Sequence, residues 1–287
     1  MMDFPKSWNV GPDISRWIDD RVDWVIVNWD PFFSAINTII LKILGPIEDL
    51  LLWIPWWFVV ILVVAAALKV VGRNIAGVSL GLMMVMAFLG LFELAMATLA
   101  LVFTSVLIAV GLGLPLGIVG AKNDMIDAAM RPILDAMQTM PSFVYLIPAL
   151  MLFGLGKTPA VMATVIYGLP PLIRLTNLGI RQVDPEVVEA AKAFGSTPGQ
   201  ILAKVQLPMA LPTIMAGVNQ TIMMALAMVV IASMIGAKGL GIEVLNGIAR
   251  LDVGRGFLGG LGIVIMAIII DRISQGLAKP RKMAKAS

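Results

Sequence analysis

Residues 189–208 read EAAKAFGSTPGQILAKVQLP and lie between two of the longest apolar runs in the chain. This polar, Gly- and Pro-interrupted stretch stands out in a sequence that is 59% hydrophobic and 14% charged. Repeated apolar runs of 18 or more residues predict helices that cross a membrane. The sequence shows no series of alternating ten-residue segments, which membrane strands would need. We therefore predict an all-α polytopic membrane protein that interrupts its apolar helices to build a polar connection.

The apolar runs predict about seven spans, near 52–71, 75–92, 95–119, 141–156, 159–179, 209–235 and 257–277. On one side of these spans the connections carry 13 Lys and Arg residues, against four on the other side when the N-terminal tail is left out. The positive-inside rule assigns the richer side to the cytoplasm. Seven spans then place the C-terminus in the cytoplasm and the N-terminus outside.

The N-terminal residues 1–50 are predicted to form an external tail, separate from a membrane domain at 51–287. All seven tryptophans precede residue 58, and three of them open the first predicted span, where an aromatic belt is expected. The run 31–44 is short for a span, so we predict an interfacial amphipathic helix on the outer leaflet. The alternative is an eighth span, which would move the N-terminus to the inside.

Several classes of chemistry are excluded by composition. The chain has no His and no Cys, which removes His or Cys metal sites, His-assisted nucleophiles and disulfides. We predict no metal site, no catalytic residue and no nucleic-acid partner. The run GLGKT (154–158) is not a phosphate loop, because Met151 occupies the position of its first glycine and Pro159 follows where a helix should continue. We therefore expect a chain that is not an enzyme and binds no nucleotide.

The opening stretch and its upstream flank encode two helices joined by a sharp turn. Asp184 is a suitable N-cap before a proline, and Gly195 suits the left-handed residue that ends a helix. Thr197 and Gln200 have the capping-box spacing, so a second helix is predicted to begin there and to end at Leu207-Pro208.

The first of these two helices has one small or apolar face, formed by Val187, Ala190, Ala191 and Phe194. Small residues allow the backbone of a partner to approach closely. An ordinary interfacial helix would show a similar stripe. The residues alone therefore leave two interpretations open, a helix that docks on a partner protein and an ordinary interfacial helix.

A family resemblance favours a helix that docks on a partner protein. Glu189-Ala190-Ala191, then Gly195, then Val205-Gln206-Leu207-Pro208 resemble the EAA loop of ATP-binding-cassette (ABC) importer permeases, which usually have Ile where this chain has Val205. The segments LDAMQTMPSFVYLIP (134–148), GLPPLIRLTNLGIRQV (168–183) and PTIMAGVNQTIMMALAMVVIASMIGAKGLG (212–241) resemble glycine betaine/proline betaine permeases. The similarity extends over roughly residues 90–277.

The resemblance implies a type I ABC importer transmembrane domain in a bacterial cytoplasmic (inner) membrane. The loop 184–208 would couple it to a cytoplasmic ABC ATPase that binds ATP and Mg. The residues implied in coupling are Glu189, Ala190, Ala191, Phe194, Gly195 and Pro208. The family further implies a permease homodimer and an external substrate-binding protein, which the segment 236–256 would face.

The implied cargo is glycine betaine or a related solute. The sequence does not distinguish glycine betaine from proline betaine, choline, carnitine or trimethylamine N-oxide.

An ion-gradient-driven secondary carrier is the alternative function. Such carriers usually place ionisable groups within their spans, and here Arg174 is the exception among nearly uncharged span interiors. Its position suggests an interfacial anchor. Asn177, Asn219 and Gln220 are polar residues in or near spans, and we expect them either to line a pore or to bond neighbouring helices.

Overall fold

The computed structural model describes residues 10–278, and over that range it is helical without strands. The predicted all-α class is confirmed. The α-helices are α1 Gly11–Asn28, α2 Asp30–Trp53, α3 Trp56–Val70, α4 Arg73–Phe88, α5 Phe92–Lys122, α6 Asp124–Thr139, α7 Leu146–Phe153, α8 Lys157–Arg181, α9 Pro185–Ala193, α10 Pro198–Ile201, α11 Leu207–Ser233, α12 Leu240–Arg250 and α13 Val253–Ala278.

Four described helices are long and apolar enough to cross a membrane, or up to six spans if two bent helix pairs each count as one. The four are α5, α8, α13 and the continuous helix Pro198–Ser233. Seven spans were predicted. The counts differ because α3, α4 and α7 have only 15, 16 and 8 residues, whereas an upright helix needs about 20 to cross the hydrocarbon core.

The two bent pairs share one cause. The α2–α3 pair bends by 103° before Pro55, and the pair formed by α6 and residues 142–153 bends by 109° before Pro141. The residues before these prolines, Ile54 and Met140, both have extended backbones, because proline disfavours a helical conformation in its predecessor. The predicted span 141–156 is therefore a 3₁₀ turn followed by the short α7.

The predicted helix at 31–44 is part of the longer α2, so the proposed boundary at residue 50 falls inside a helix. Ile40 and Leu44 of α2 are buried in a cluster with residues of α5 and α8. Lys157 at the start of α8 contacts Glu48 at 2.5 Å, and the next residue, Thr158, donates a hydrogen bond to Asn37. The Lys-Thr pair of the GLGKT run thus holds α2. The interfacial position of α2 outside the membrane remains a prediction.

Helix α8 is the centre of the fold and packs along both α5 and α11. Its contact with α5 depends on a glycine, because a Cβ at Gly117 would lie 2.5 Å from Thr176 Cβ and 2.9 Å from the backbone oxygen of Ile173. Small residues let membrane helices approach closely enough for dispersion contacts to hold them together. Helices α5 and α8 therefore approach each other closely at Gly117.

Candidate coupling loop

The first helix of the loop, α9, begins as the sequence predicts. Asp184 is its N-cap, and Oδ1 of Asp184 accepts a hydrogen bond of 2.9 Å from the backbone N–H of Glu186. Pro185 follows at the first helical position, where its missing N–H leaves no intrahelical bond unmade.

The turn after α9 is a Schellman motif centred on Gly195. This residue has φ +78°, within the left-handed region. Its N–H donates to the carbonyl of Lys192 at 2.9 Å, and the N–H of Ser196 donates to the carbonyl of Ala191 at 3.1 Å. These two bonds satisfy the last carbonyls of α9. The predicted conformation of Gly195 is confirmed.

The second helix of the loop begins with the predicted capping box. The Thr197 N–H donates to Gln200 Oε1 at 2.9 Å, and the Gln200 N–H donates to Thr197 Oγ1 at 3.4 Å. Both ends of the turn are therefore fixed by local hydrogen bonds, which makes the loop a defined element of structure.

The predicted end of the second helix at Leu207-Pro208 is wrong. The chain remains helical from Pro198 to Ser233, passing through a π-helical segment at Leu202–Gln206 into α11. Proline at 208 supplies no N–H and crowds the carbonyl one turn back. In the π-helical turn directly before it, the Leu207 N–H donates to the carbonyl of Leu202, and the helix continues with this shifted hydrogen-bond pattern. The loop is thereby joined rigidly to a span.

The outward face of the loop is open. No residue of α9 is buried, Phe194 is 90% exposed, and Glu189 and Ala190 are also exposed. The inner side of the loop is anchored by Val188 and Leu202, which pack on a cluster of α8 and α11 residues. Five of the six predicted coupling residues therefore lie on α9 or directly after it, whereas Pro208 lies in α11. Their role in coupling remains a prediction.

A charged interface lies beside the loop, between α6 and α8. Asp127 Oδ2 accepts hydrogen bonds from the Arg131 guanidinium, the shorter of them 2.5 Å, and its Oδ1 accepts one of 2.6 Å from Asn177. Arg181 in turn donates to Asn177 Oδ1 at 2.8 Å and to the carbonyl of Gly120 at 2.9 Å. The network joins the ends of three helices, α5, α6 and α8, directly before the loop begins.

The same interface borders a cavity of about 380 Å³. Arg174 lies on its wall and forms an ion pair with Asp135 of α6. The sequence suggested an interfacial anchor for Arg174 and did not predict its partner. The (i, i+4) spacings Asp127–Arg131 and Asn177–Arg181 were the available signals for this network.

The three predicted polar residues have different environments. Asn177 is buried in the charged interface. Asn219 of α11 donates to Asp271 of α13 at 2.9 Å and accepts from Ser274 at 2.5 Å. Both asparagines therefore bond neighbouring helices, which was one of the two alternatives. Gln220 is exposed on α11.

The end of the bundle away from the loop is closed by a clamp between α12 and α13. The Arg255 guanidinium contacts both carboxylate oxygens of Glu243, at 2.5 and 2.9 Å. These hydrogen bonds lower the pKa of the Glu243 carboxyl from its ordinary value. Next to the clamp, Ile248, Leu251 and Val253 are largely exposed. The segment 236–256 is thus helical in part, as predicted, and carries an apolar rim.

Comparison with known proteins places this architecture among transport proteins. Residues 113–281 match the family model described as "Binding-protein-dependent transport system inner membrane component". The chain is 47% identical over 266 residues to the glycine betaine/proline betaine transport system permease protein ProW of Escherichia coli strain K12, covering 93% of this chain and 75% of ProW. It is 48% identical over 281 residues to the glycine betaine/carnitine transport permease protein GbuB of Listeria monocytogenes, covering 94% and 96% of the two chains.

A solved structure has the same fold. A chain of the MetNI methionine ABC transporter in an inward-facing conformation superposes with a TM-score of 0.58 at 22% identity, covering 63% of this chain and 91% of that one. At that identity the likeness concerns the fold, and it confirms the expected type I importer architecture.

Proposed function

This chain belongs to the family of binding-protein-dependent transport system inner membrane components, and we propose that it is the subunit through which an ABC importer passes glycine betaine or a related trimethylammonium solute. Membership of the family makes it a multi-pass ABC permease of the inner membrane. The alternative of an ion-gradient-driven carrier is not supported. The names of the two permeases with nearly half of their residues identical support the choice of solute.

The observation that carries the coupling role is the exposed, doubly capped loop 184–208. A separate cytoplasmic ATPase binds ATP and Mg in this proposal, and its movement is transmitted through the loop. Two features support transmission: Val188 and Leu202 fix the loop to the α8–α11 cluster, and the loop continues without a break into α11. Glu189, Ala190, Ala191 and Phe194 supply the contact, Gly195 the turn, and Pro208 the position of the π-helical segment.

The remaining assembly follows the family. An external binding protein delivers the solute to the end opposite the loop, where Ile248, Leu251 and Val253 form an apolar rim suited to a transient contact. A permease homodimer encloses the path, with the C-terminus in the cytoplasm and the N-terminus outside. The distribution of Lys and Arg supports the cytoplasmic C-terminus, and an external N-terminus requires in addition an odd number of spans.

Transport measurements in vesicles test the proposal. The chain is reconstituted with its ATPase and binding protein, and uptake of labelled glycine betaine is followed with and without ATP at the ATPase side. Choline, carnitine, proline and trimethylamine N-oxide are added as competitors. We expect ATP-dependent uptake that a trimethylammonium compound inhibits best. Uptake that ignores ATP and follows an ion gradient would overturn the proposal.

A single substitution tests the coupling surface. Phe194 is 90% exposed, so Phe194→Ala should change the free energy of unfolding by no more than about 0.5 kcal/mol. It should nevertheless weaken binding of the ATPase by about tenfold or more if Phe194 is an interface anchor. Phe257→Ala is the matched control, because Phe257 is 67% exposed at the opposite end of the bundle. Equal ATPase binding by the two variants would contradict the assignment.

A further inference from the structure

A second cavity lies at the end of the bundle away from the coupling loop. It has a volume of about 630 Å³ and forms where the α2–α3 break meets the end of α4 and the start of α5. Four aromatic side chains line it: Trp53, Trp56, Phe88 and Phe92. This volume falls within the range of small-ligand sites.

Among residues 10–278, Glu93 is the one titratable residue on the wall of this cavity. It lies in the first turn of α5, is exposed, and forms no ion pair with any of residues 10–278. Every other lining residue is apolar or aromatic. The cavity therefore combines one unpaired negative charge with an aromatic and aliphatic wall.

This combination selects one kind of cation. Aromatic faces attract cations through their quadrupole, and tryptophan does so most strongly. A primary ammonium group needs several hydrogen-bond acceptors, and among the side chains of residues 10–278 that line the wall only Glu93 offers one. A quaternary ammonium group donates no such bonds and presents an apolar methyl surface. We propose that this cavity binds a quaternary ammonium group, with the exposed rings of Trp53, Trp56 and Phe88 in contact with the methyl groups and Glu93 balancing the charge.

Each of these residues also has a simpler role. Tryptophans gather at membrane interfaces, and an acidic residue in the first turn stabilises a helix through its dipole. Neither role requires a shared cavity. Trp57 distinguishes an interfacial role from a role in the cavity. It is 51% exposed beside Trp56, which is 47% exposed, yet it does not line the cavity.

The location separates this site from the coupling loop. Helix α5 has 31 residues, which corresponds to about 46 Å along its axis at 1.5 Å per residue. The cavity lies at its first turn, and the charged interface beside the loop lies at its last. A quaternary ammonium group could arrive there as a free solute or as the headgroup of a choline lipid. The binding proposal does not depend on transport, since it concerns the resting chain without ATP.

Calorimetry on the full chain with its ATPase, held in nanodiscs of phosphatidylglycerol alone, tests the proposal. Tetramethylammonium and glycine betaine are the probes. Choline is compared with 3,3-dimethylbutan-1-ol, which has the same shape without the charge. We expect saturable binding of the three quaternary ammonium compounds, weakened about tenfold by Trp56→Leu and by Glu93→Gln. Trp57→Leu should bind as the unmodified chain does.

Changing the nanodisc lipid identifies the source of the quaternary ammonium group. In nanodiscs of phosphatidylcholine, loss of tetramethylammonium binding would identify the lipid headgroup as the occupant, and unchanged binding would identify a free solute; both outcomes support the site. Equal binding of 3,3-dimethylbutan-1-ol, or equal losses in Trp56→Leu and Trp57→Leu, would overturn it. Because no ATP or binding protein is present, this result is independent of the uptake experiment.

Discussion

The left-handed turn at Gly195 provides a sharp test of the coupling loop. An added Cβ at Gly195 would meet no atom within 4 Å, so Gly195→Ala introduces no collision. Its cost comes from the backbone, because φ is +78° and the left-handed conformation costs a residue with a Cβ about 1–2 kcal/mol. That free energy corresponds to a factor of about 5–30 in the ratio of native to non-native turn, which is the upper limit for the loss of native turn.

Two variants in the same loop isolate this effect. Gly199→Ala is the matched control, since its Cβ also meets nothing within 4 Å and its φ is not positive. Gly195→Asn tests the backbone explanation, because asparagine tolerates the left-handed region better than alanine does. We expect Gly199→Ala to take up solute as fast as the unmodified chain does. Gly195→Asn should be slower, and Gly195→Ala should be the slowest.

The assay is ATP-dependent uptake by vesicles that contain equal amounts of inserted permease, with the ATPase and the binding protein supplied. Gly195→Ala should reduce uptake by up to about 5- to 30-fold. Thermal stability of the membrane domain should not change, because the loop is exposed. A stable Gly195→Ala variant that transports as fast as the unmodified chain would refute the idea that this turn transmits the movement. A loss of equal size in Gly199→Ala would refute the backbone explanation.

Two further substitutions test the interfaces of α8. Asp127→Asn should lower the free energy of unfolding by about 1.5–3 kcal/mol, since the Asp127 side chain is 11% exposed. Asp124→Asn also removes a carboxylate that pairs with Arg181, but that side chain is 90% exposed, so it should cost less than about 1 kcal/mol; equal melting temperatures of the two variants would contradict a structural role for the buried Asp127. Gly117→Ala places a Cβ 2.5 Å from Thr176 and should destabilise by about 1–3 kcal/mol, while Gly111→Ala, which meets nothing within 4 Å, should be neutral or stabilising in the same melting experiment.

The loop shows why local structure could be predicted here. Asp184, Gly195, Thr197 and Gln200 act on backbone groups within a few residues of themselves. Their hydrogen bonds therefore follow from spacing alone. The predicted end at Pro208 failed because proline does not end a helix when the preceding turn becomes π-helical. That choice depends on the packing of the whole α11 against its neighbours.

The lengths of the other helices and the partners of their side chains could not be predicted from the sequence. The α2 helix continues past residue 44, where Ile47 and Leu51 pack on the same cluster that buries Ile40 and Leu44, and hydropathy does not record such contacts. The ion pairs Glu48–Lys157 and Arg174–Asp135 join residues far apart in the chain. Each charge was visible in the sequence, but its partner was not.

By itself, the sequence determined that this chain is an α-helical membrane protein with a capped polar loop, because hydropathy and capping depend on neighbouring residues. It also carried the family resemblance in its EAA motif. Only the tertiary structure decided which polar groups meet and which remain free. Asp127 is satisfied by Arg131 and Asn177, whereas Glu93 faces an aromatic cavity without an ion-pair partner among residues 10–278. The physical reason is that the energy of a charge depends on its surroundings in space, and folding sets those surroundings.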